Sequence, residues 1–235
     1  MKKLNIVFIL LIAFGLYAQE EVMSAQDLLN RLSDNAKTNI KNMEAQMQWV
    51  QAGTTQKAKV YFKNPQKLRI DFSEPEGQVI CTDGYELLVY IPSLNIVLRQ
   101  NILKKDKTKD EDGNTQIIEN PILVNPVGLD HFLKNYAISY HETKSKTKLE
   151  DGSEVYQFKL IRWQSSPNGF NRVYLYVQDN GIIRKAEGIT AAYQKITLLI
   201  DNVKINQEIS KTAFEYEPPA HTNTVDDFIL NQGDE

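Results

Sequence analysis

The sequence predicts a mainly β protein of the α+β kind, a curled antiparallel sheet of about eleven strands with two helical segments to cover it. Three observations carry this. Apolar and polar residues alternate with a period of two through most of the chain, as a strand with one dry face requires. Turn signals built on proline, glycine and asparagine punctuate those runs at short intervals. Two segments have apolar residues at helical spacing instead.

In chain order, Lys2 and Lys3, the apolar run Leu4 to Leu16 and Ala18 read as a signal peptide over residues 1–18. The run is shorter than the roughly 20 apolar residues of a membrane span. Leu16 is not the small residue of an ideal cleavage site, so an uncleaved anchor is the alternative. No cysteine stands at the cleavage point, and the chain is not expected to carry a lipid itself. Ser24 with Asp27 three positions on is close to a capping box. Leu28, Leu32, Ala36 and Ile40 then recur every four residues, with Leu29 and Met43 widening the stripe, which predicts an amphipathic helix over residues 24–43.

Ala45 to Val50 opens the sheet, with Met47 and Trp49 on one face, and a Gly53-Thr54-Thr55 turn follows. Residues 57–92 read as a meander. Ala58, Val60 and Phe62 alternate with lysines and Tyr61, and Leu68, Ile70 and Phe72 alternate with Lys67, Arg69 and Asp71. Asn64-Pro65-Gln66, Glu74-Pro75-Glu76-Gly77 and Asp83-Gly84 break the runs, because proline fixes φ and removes a donor while glycine accepts positive φ. Asn95 to Asn101 adds a strand, and Lys104 to Asn114 is a mixed-charge loop without a single-sign field. Pro121 to Tyr136 places Leu129, Phe132, Leu133 and Tyr136 at helical spacing after Pro126, which predicts a short helix. Five strands follow, over 137–142, 154–163, 172–178, 182–188 and 196–205. After Pro219 the chain is polar and acidic and is expected to form a loosely held tail.

Composition removes several function classes. A formal charge of -3 provides no clustered Lys and Arg for phosphate, so nucleic acid is not an expected partner. Cys81 is the lone cysteine, and His131, His141 and His221 stand far apart without ligand spacing, so neither a metal nor another cofactor is expected. Cys81 has no histidine nearby in sequence. His141 and Glu142, as adjacent strand residues, should point to opposite faces and not converge. Phosphate-binding glycine loops and nucleophile elbows are absent from the sequence, and an enzyme is not expected.

Taken together and in order, Pro65, Leu68-Arg69-Ile70-Asp71-Phe72, Pro75, Ile80-Cys81-Thr82-Asp83-Gly84 and Tyr90-Ile91-Pro92 resemble a phrase of the periplasmic lipoprotein carriers, the LolA-like family. Asn206, Ile209, Phe214, Tyr216, Pro218 and Pro219 resemble the phrase that closes that family's domain. The resemblance spans Leu28 to Asp227. It implies an unclosed β-barrel with helices covering the concave face, a single domain over residues 19–235, and a periplasmic, monomeric protein. The implied function is a carrier that holds the acyl chains of lipoproteins in a hydrophobic cavity and shuttles them from the inner to the outer membrane. Its implied partners are lipidated proteins and an inner-membrane release complex, with an outer-membrane acceptor left open. A lipid- or lipoprotein-sensing module of the same fold is the alternative.

One parity of the early strands supplies the expected cavity lining: Met47, Trp49, Val60, Phe62, Leu68, Ile70 and Phe72. Leu28 and Leu32 on the helix, and Arg69, are candidate lid contacts, with a solvated, outward Arg69 as the other reading. Carriers of the family latch the lid with an arginine just before the strand-turn proline; Asn64 stands there here, so that latch is not carried over.

Overall fold

The computed structural model describes residues 23–101, 108–109, 115–116, 129–164 and 169–228. The predicted signal peptide, most of the mixed-charge loop and the Pro121–Pro126 stretch lie outside them. Helix α1 (Ala25–Asn39) leads into β1 (Asn42–Gln51), β2 (Thr54–Lys63), β3 (Lys67–Glu74), β4 (Glu76–Thr82), β5 (Glu86–Ile91) and β6 (Ile96–Asn101). β7 (Thr108–Lys109) and β8 (Thr115–Gln116) form a separate pair. Helix α2 (Asp130–Asn135) runs directly into β9 (Tyr136–Tyr140), followed by β10 (Thr147–Lys148), β11 (Glu154–Arg162), β12 (Phe170–Val177), β13 (Ile183–Thr190), β14 (Lys195–Ile205) and β15 (Asn223–Asp226).

Thirteen strands make one sheet in the order β10-β11-β12-β13-β14-β1-β2-β3-β4-β5-β6-β15, with β9 also on β11. Its two ends, β10 and β15, do not meet, so the sheet is unclosed. Each of the eleven expected strands is present in this sheet, the additions to it are the short β10 and β15, and β7 and β8 are further additions outside it. β15 corrects the expectation of a loose tail. It adds to β6 in parallel, Asn223 opposite Ile96 through Asp226 opposite Arg99, and the Asp227 N–H donates to the Arg99 carbonyl at 2.8 Å. Backbone pairing on an open edge needs no apolar side chains, which is why a polar sequence concealed it.

Helix α1 begins as its sequence dictates: the Ser24 hydroxyl accepts the Asp27 N–H at 3.1 Å. It stops at Asn39, short of the expected Met43, because Asn206 caps it from across the molecule. The Asn206 amide donates to the Asn39 carbonyl at 2.7 Å and accepts the Lys41 N–H at 2.8 Å. These bonds satisfy end groups that a helix otherwise leaves to water. Met43 is therefore a strand residue, 1% exposed, opposite Phe62.

Two apolar clusters form on the α1 side of the sheet. Ala25, Leu28, Leu29 and Leu32 join Phe158, Leu160, Val173, Leu175, Val177, Leu129 and Tyr136. Ala36 and Ile40 join Met43, Ala45, Val60, Phe62, Leu68, Ile182 and Ile200. A helix of 15 residues is about 22 Å long. It shares core with β11 at one end and β3 at the other, strands six spacings or about 29 Å apart on a flat sheet. The sheet accordingly curls toward α1, whose face is the concave one.

The antiparallel order gives the sheet two rims. Along one, here the lower, run the turns after β2, β4 and β12 and the end of β14. α1 lies against this rim. The Leu32 carbonyl sits where a Cβ on Gly181 would come within 2.1 Å, Asn35 donates to the Asp179 carbonyl, and the Asn64 N–H donates to the Lys41 carbonyl at 2.8 Å. α2 sits at the upper rim beside the start of β9, where the Tyr136 hydroxyl donates to the Phe170 carbonyl at 2.8 Å.

Candidate functional site

Register decides which side chains share the concave face, since residues paired across an antiparallel ladder point the same way. Val60 pairs with Ile70, Ile70 with Ile80, Ile80 with Val89 and Val89 with Leu98. This is an unbroken apolar row across β2 to β6. A second row, nearer the upper rim, runs Ile200, Met47, Ala58 and Phe72, and Trp49 lies opposite Leu198 above it. All seven residues expected to line a cavity thus share the face that α1 occupies.

They do not share one environment. Val60, Phe62 and Leu68 are buried beneath the C-terminal end of α1, with Ala36 and Ile40 over them. Phe72 is 9% exposed, while Met47, Trp49 and Ile70 are only half-buried. Ile80, Val89, Ile91, Ile96 and Leu98 are likewise half-buried and belong to neither cluster among the described residues. Among the described residues α1 therefore covers this apolar cleft along the lower rim of β1–β3, and its side chains on β4–β6 stay partly exposed. The sequence reading missed its β4–β6 wall, although counting residues through the short turns from Ile70 reaches Ile80, Val89 and Leu98 in turn.

The candidate lid contacts fall elsewhere. Leu28 and Leu32 are buried at 4% and 1%, but against β11–β13 and not over the early strands. Arg69 alternates with Leu68 and Ile70 and so stands on the outer face. Its Nε bonds Asp71 Oδ1 at 2.8 Å, and its Nη1 donates to the carbonyls of Ala213 and Glu215 at 3.3 and 3.4 Å. Its guanidinium also lies 5.6 Å from the Tyr216 ring centre. Arg69 thus fastens a C-terminal strap, including the short 3-10 turn Lys211–Phe214, to the outer face. Phe214, 2% exposed, drives that contact, which is worth about 2–3 kcal/mol for a buried Phe. The strap also covers Cys81 on the outer face of β4, which is 2% exposed.

The reactive groups stand apart from the cleft. Cys81 lies on the outer face beneath the strap, its thiol on the Phe214 carbonyl at 3.5 Å, and burial pushes it up to about 11. His141 and Glu142 do approach, at 3.6 Å between Nε2 and Oε1, contrary to the expectation that they would diverge. The strand ends at Tyr140 and Glu142 takes φ 59, which breaks the alternation. His141 packs on Tyr174 with ring centres 4.6 Å apart, and Tyr174 pairs with Glu187 on the outer face. Burial raises Glu187, but hydrogen bonds from Lys185 and Lys195 outweigh it and hold the carboxyl below its usual range. At the β13 bulge Arg184, 9% exposed, donates to the Ile200 carbonyl at 2.7 Å and to Asp151 at 2.6 Å. Asp151 is lowered to about 2 by hydrogen bonds from Ser153 and then by Arg184. Among the described residues no three His, Cys, Asp or Glu side chains gather as a metal site would require.

No family model matches the chain, and no curated protein does. Solved structures do match. An uncharacterized conserved protein from Thermus thermophilus superposes at a TM-score of 0.54 with 13% identity, covering 86% of this chain and 98% of that one. MucB, in the MucA/MucB complex of Pseudomonas aeruginosa, gives 0.52 with 10% identity over 82% of this chain. The present chain spans 61% of the length of that protein. The LolA superfamily protein NE2245 from Nitrosomonas europaea is matched at 0.37 and 13% identity, over 83% of this chain and 98% of that one. The unclosed sheet, curled about a helix on its concave face, is the fold class that the sequence predicted.

Proposed function

We propose that the protein binds acyl chains along the open apolar cleft of β1–β6 and carries lipoproteins by their lipid anchors from the inner to the outer membrane. The observation that carries this reading is the row Val60, Ile70, Ile80, Val89 and Leu98, apolar across five strands yet only partly covered. Ordinary sheet faces either bury such a row under a helix or interrupt it with polar residues. A bound chain covers it, and each methylene withdrawn from water contributes about 0.8 kcal/mol. A binding role is favoured over catalysis because Cys81 and His141 lie on the outer face. The test is native mass spectrometry of protein isolated without detergent, together with depletion in cells. Co-purifying lipidated protein, and lipoproteins stranded in the inner membrane on depletion, support the carrier.

A second reading is a module whose bound lipid alters its association with a protein partner. The likeness to MucB, solved in complex with MucA, favours it. Unchanged lipoprotein distribution on depletion, with altered stress-gene expression, would decide for this reading.

A further inference from the structure

Trp163, Tyr193 and Leu94 are 69%, 89% and 60% exposed. They belong to three different connections, after β11, between β13 and β14, and between β5 and β6. The antiparallel order brings all three to the upper rim, Leu94 on the side of the cleft and Trp163 and Tyr193 along the β11–β14 side. Tyr193 also adopts φ 58, a left-handed conformation that suits glycine or asparagine and costs a bulky residue. Its ring recovers nothing by packing, so the turn holds an aromatic side chain out in water at a conformational cost. The corner carrying Trp163 and Tyr193 is basic. Arg162 lies along Gly169 of the β11–β12 loop, Arg172 pairs with Ile161 and Lys195 with Ile189, and Glu187 is held between Lys185 and Lys195. An open groove of about 380 Å³ runs there, lined by Ile161, Ile189, Arg162, Arg172 and Tyr193 among others.

We propose that this upper rim is a membrane-docking surface. Trp163, Tyr193 and Leu94 enter the headgroup region of a bilayer, and the exposed Arg172 meets the phosphates of anionic lipids. Tryptophan and tyrosine favour that boundary because one end of each ring system is apolar and the other hydrogen-bonds. Arginine pairs with phosphate through a planar fork of donors. The inference rests on the acyl-chain reading of the cleft, and it adds the means by which a chain passes between bilayer and cleft without crossing water.

Flotation with vesicles of equal parts phosphatidylglycerol and phosphatidylcholine tests it. The wild-type chain should float, and the Trp163→Ser, Tyr193→Asn double variant should partition about tenfold more weakly, since two apolar anchors are lost. Arg172→Glu should weaken binding to these vesicles and leave any binding to pure phosphatidylcholine unchanged. All three proteins should take up a fluorescent fatty acid from solution equally. A wild-type chain that does not float, or a double variant that floats like it, overturns the docking surface. Flotation that depends on Trp163 and Tyr193, with no fatty-acid uptake by the wild-type chain, would sustain the docking surface and sink the carrier.

Discussion

The two halves of the sheet carry the same kind of concave face and treat it differently. On β9–β13 the face is filled from rim to rim, by the first two turns of α1 from below and by Leu129 and α2 from above. Phe158, Leu160, Leu175 and Val177 are fully buried there. On β1–β6, among the described residues, Ala36 and Ile40 at the end of α1 join the cluster over β1–β3, and Met47, Trp49, Ile70, Val89 and Leu98 keep part of their surface. One half is a filled core and the other a partly exposed apolar face, on a single continuous sheet. A filled half fixes the position of α1, and a fixed α1 leaves the other half partly open.

Substitutions should separate the halves by what they change. Phe158→Ala empties a fully buried ring site and should cost about 3–5 kcal/mol, read from the denaturant midpoint. Ile70→Ala, on the half-buried row, should cost about 1 kcal/mol, since less packing is lost. Equal costs at the two positions would erase the distinction. Ile70→Glu or Trp49→Glu should lower fatty-acid uptake tenfold or more, because a buried carboxylate beside the chain costs at least the about 1.4 kcal/mol of a tenfold change. Both variants should remain folded by circular dichroism, and full uptake by either would count against the cleft.

Smaller effects test how α1 is held. Asn206→Ala removes two hydrogen bonds at the helix end and should lower stability by about 1–2 kcal/mol. The Arg184–Asp151 pair gives a weaker, pH-dependent signal. The Asp151 carboxyl is depressed in the folded chain, to about 2, so its contribution is present above its unfolded value near 3.8 and is lost as pH falls toward 2. Stability should decline over that interval, and Asp151→Asn should flatten the decline.

The strands were legible because period two and turn chemistry agree locally from Ala58 to Ile91, and register follows from short turns. That is how Met47, Val60 and Ile70 could be assigned to one face. Which of them α1 covers was not legible, because the helix is placed by contacts distant in sequence: Asn206 at its end, and Gly181 beneath Leu32. The same holds for Arg69. Alternation puts it opposite Ile70, but what it touches is set by Ala213 and Glu215, more than 140 residues on. β15 carries no periodicity at all, since four exposed residues pair through backbone alone.

The most direct measurement uses the two tryptophans, one in the cleft and one on the rim. In Trp163→Phe the remaining indole is Trp49, opposite Leu198 on the concave face. Titration with a fatty acid brominated along its chain should quench Trp49 fluorescence saturably, and the same titration of Trp49→Phe should leave Trp163 bright. Absence of quenching at Trp49, or equal quenching of both, would contradict an acyl chain lying in the open half of the sheet.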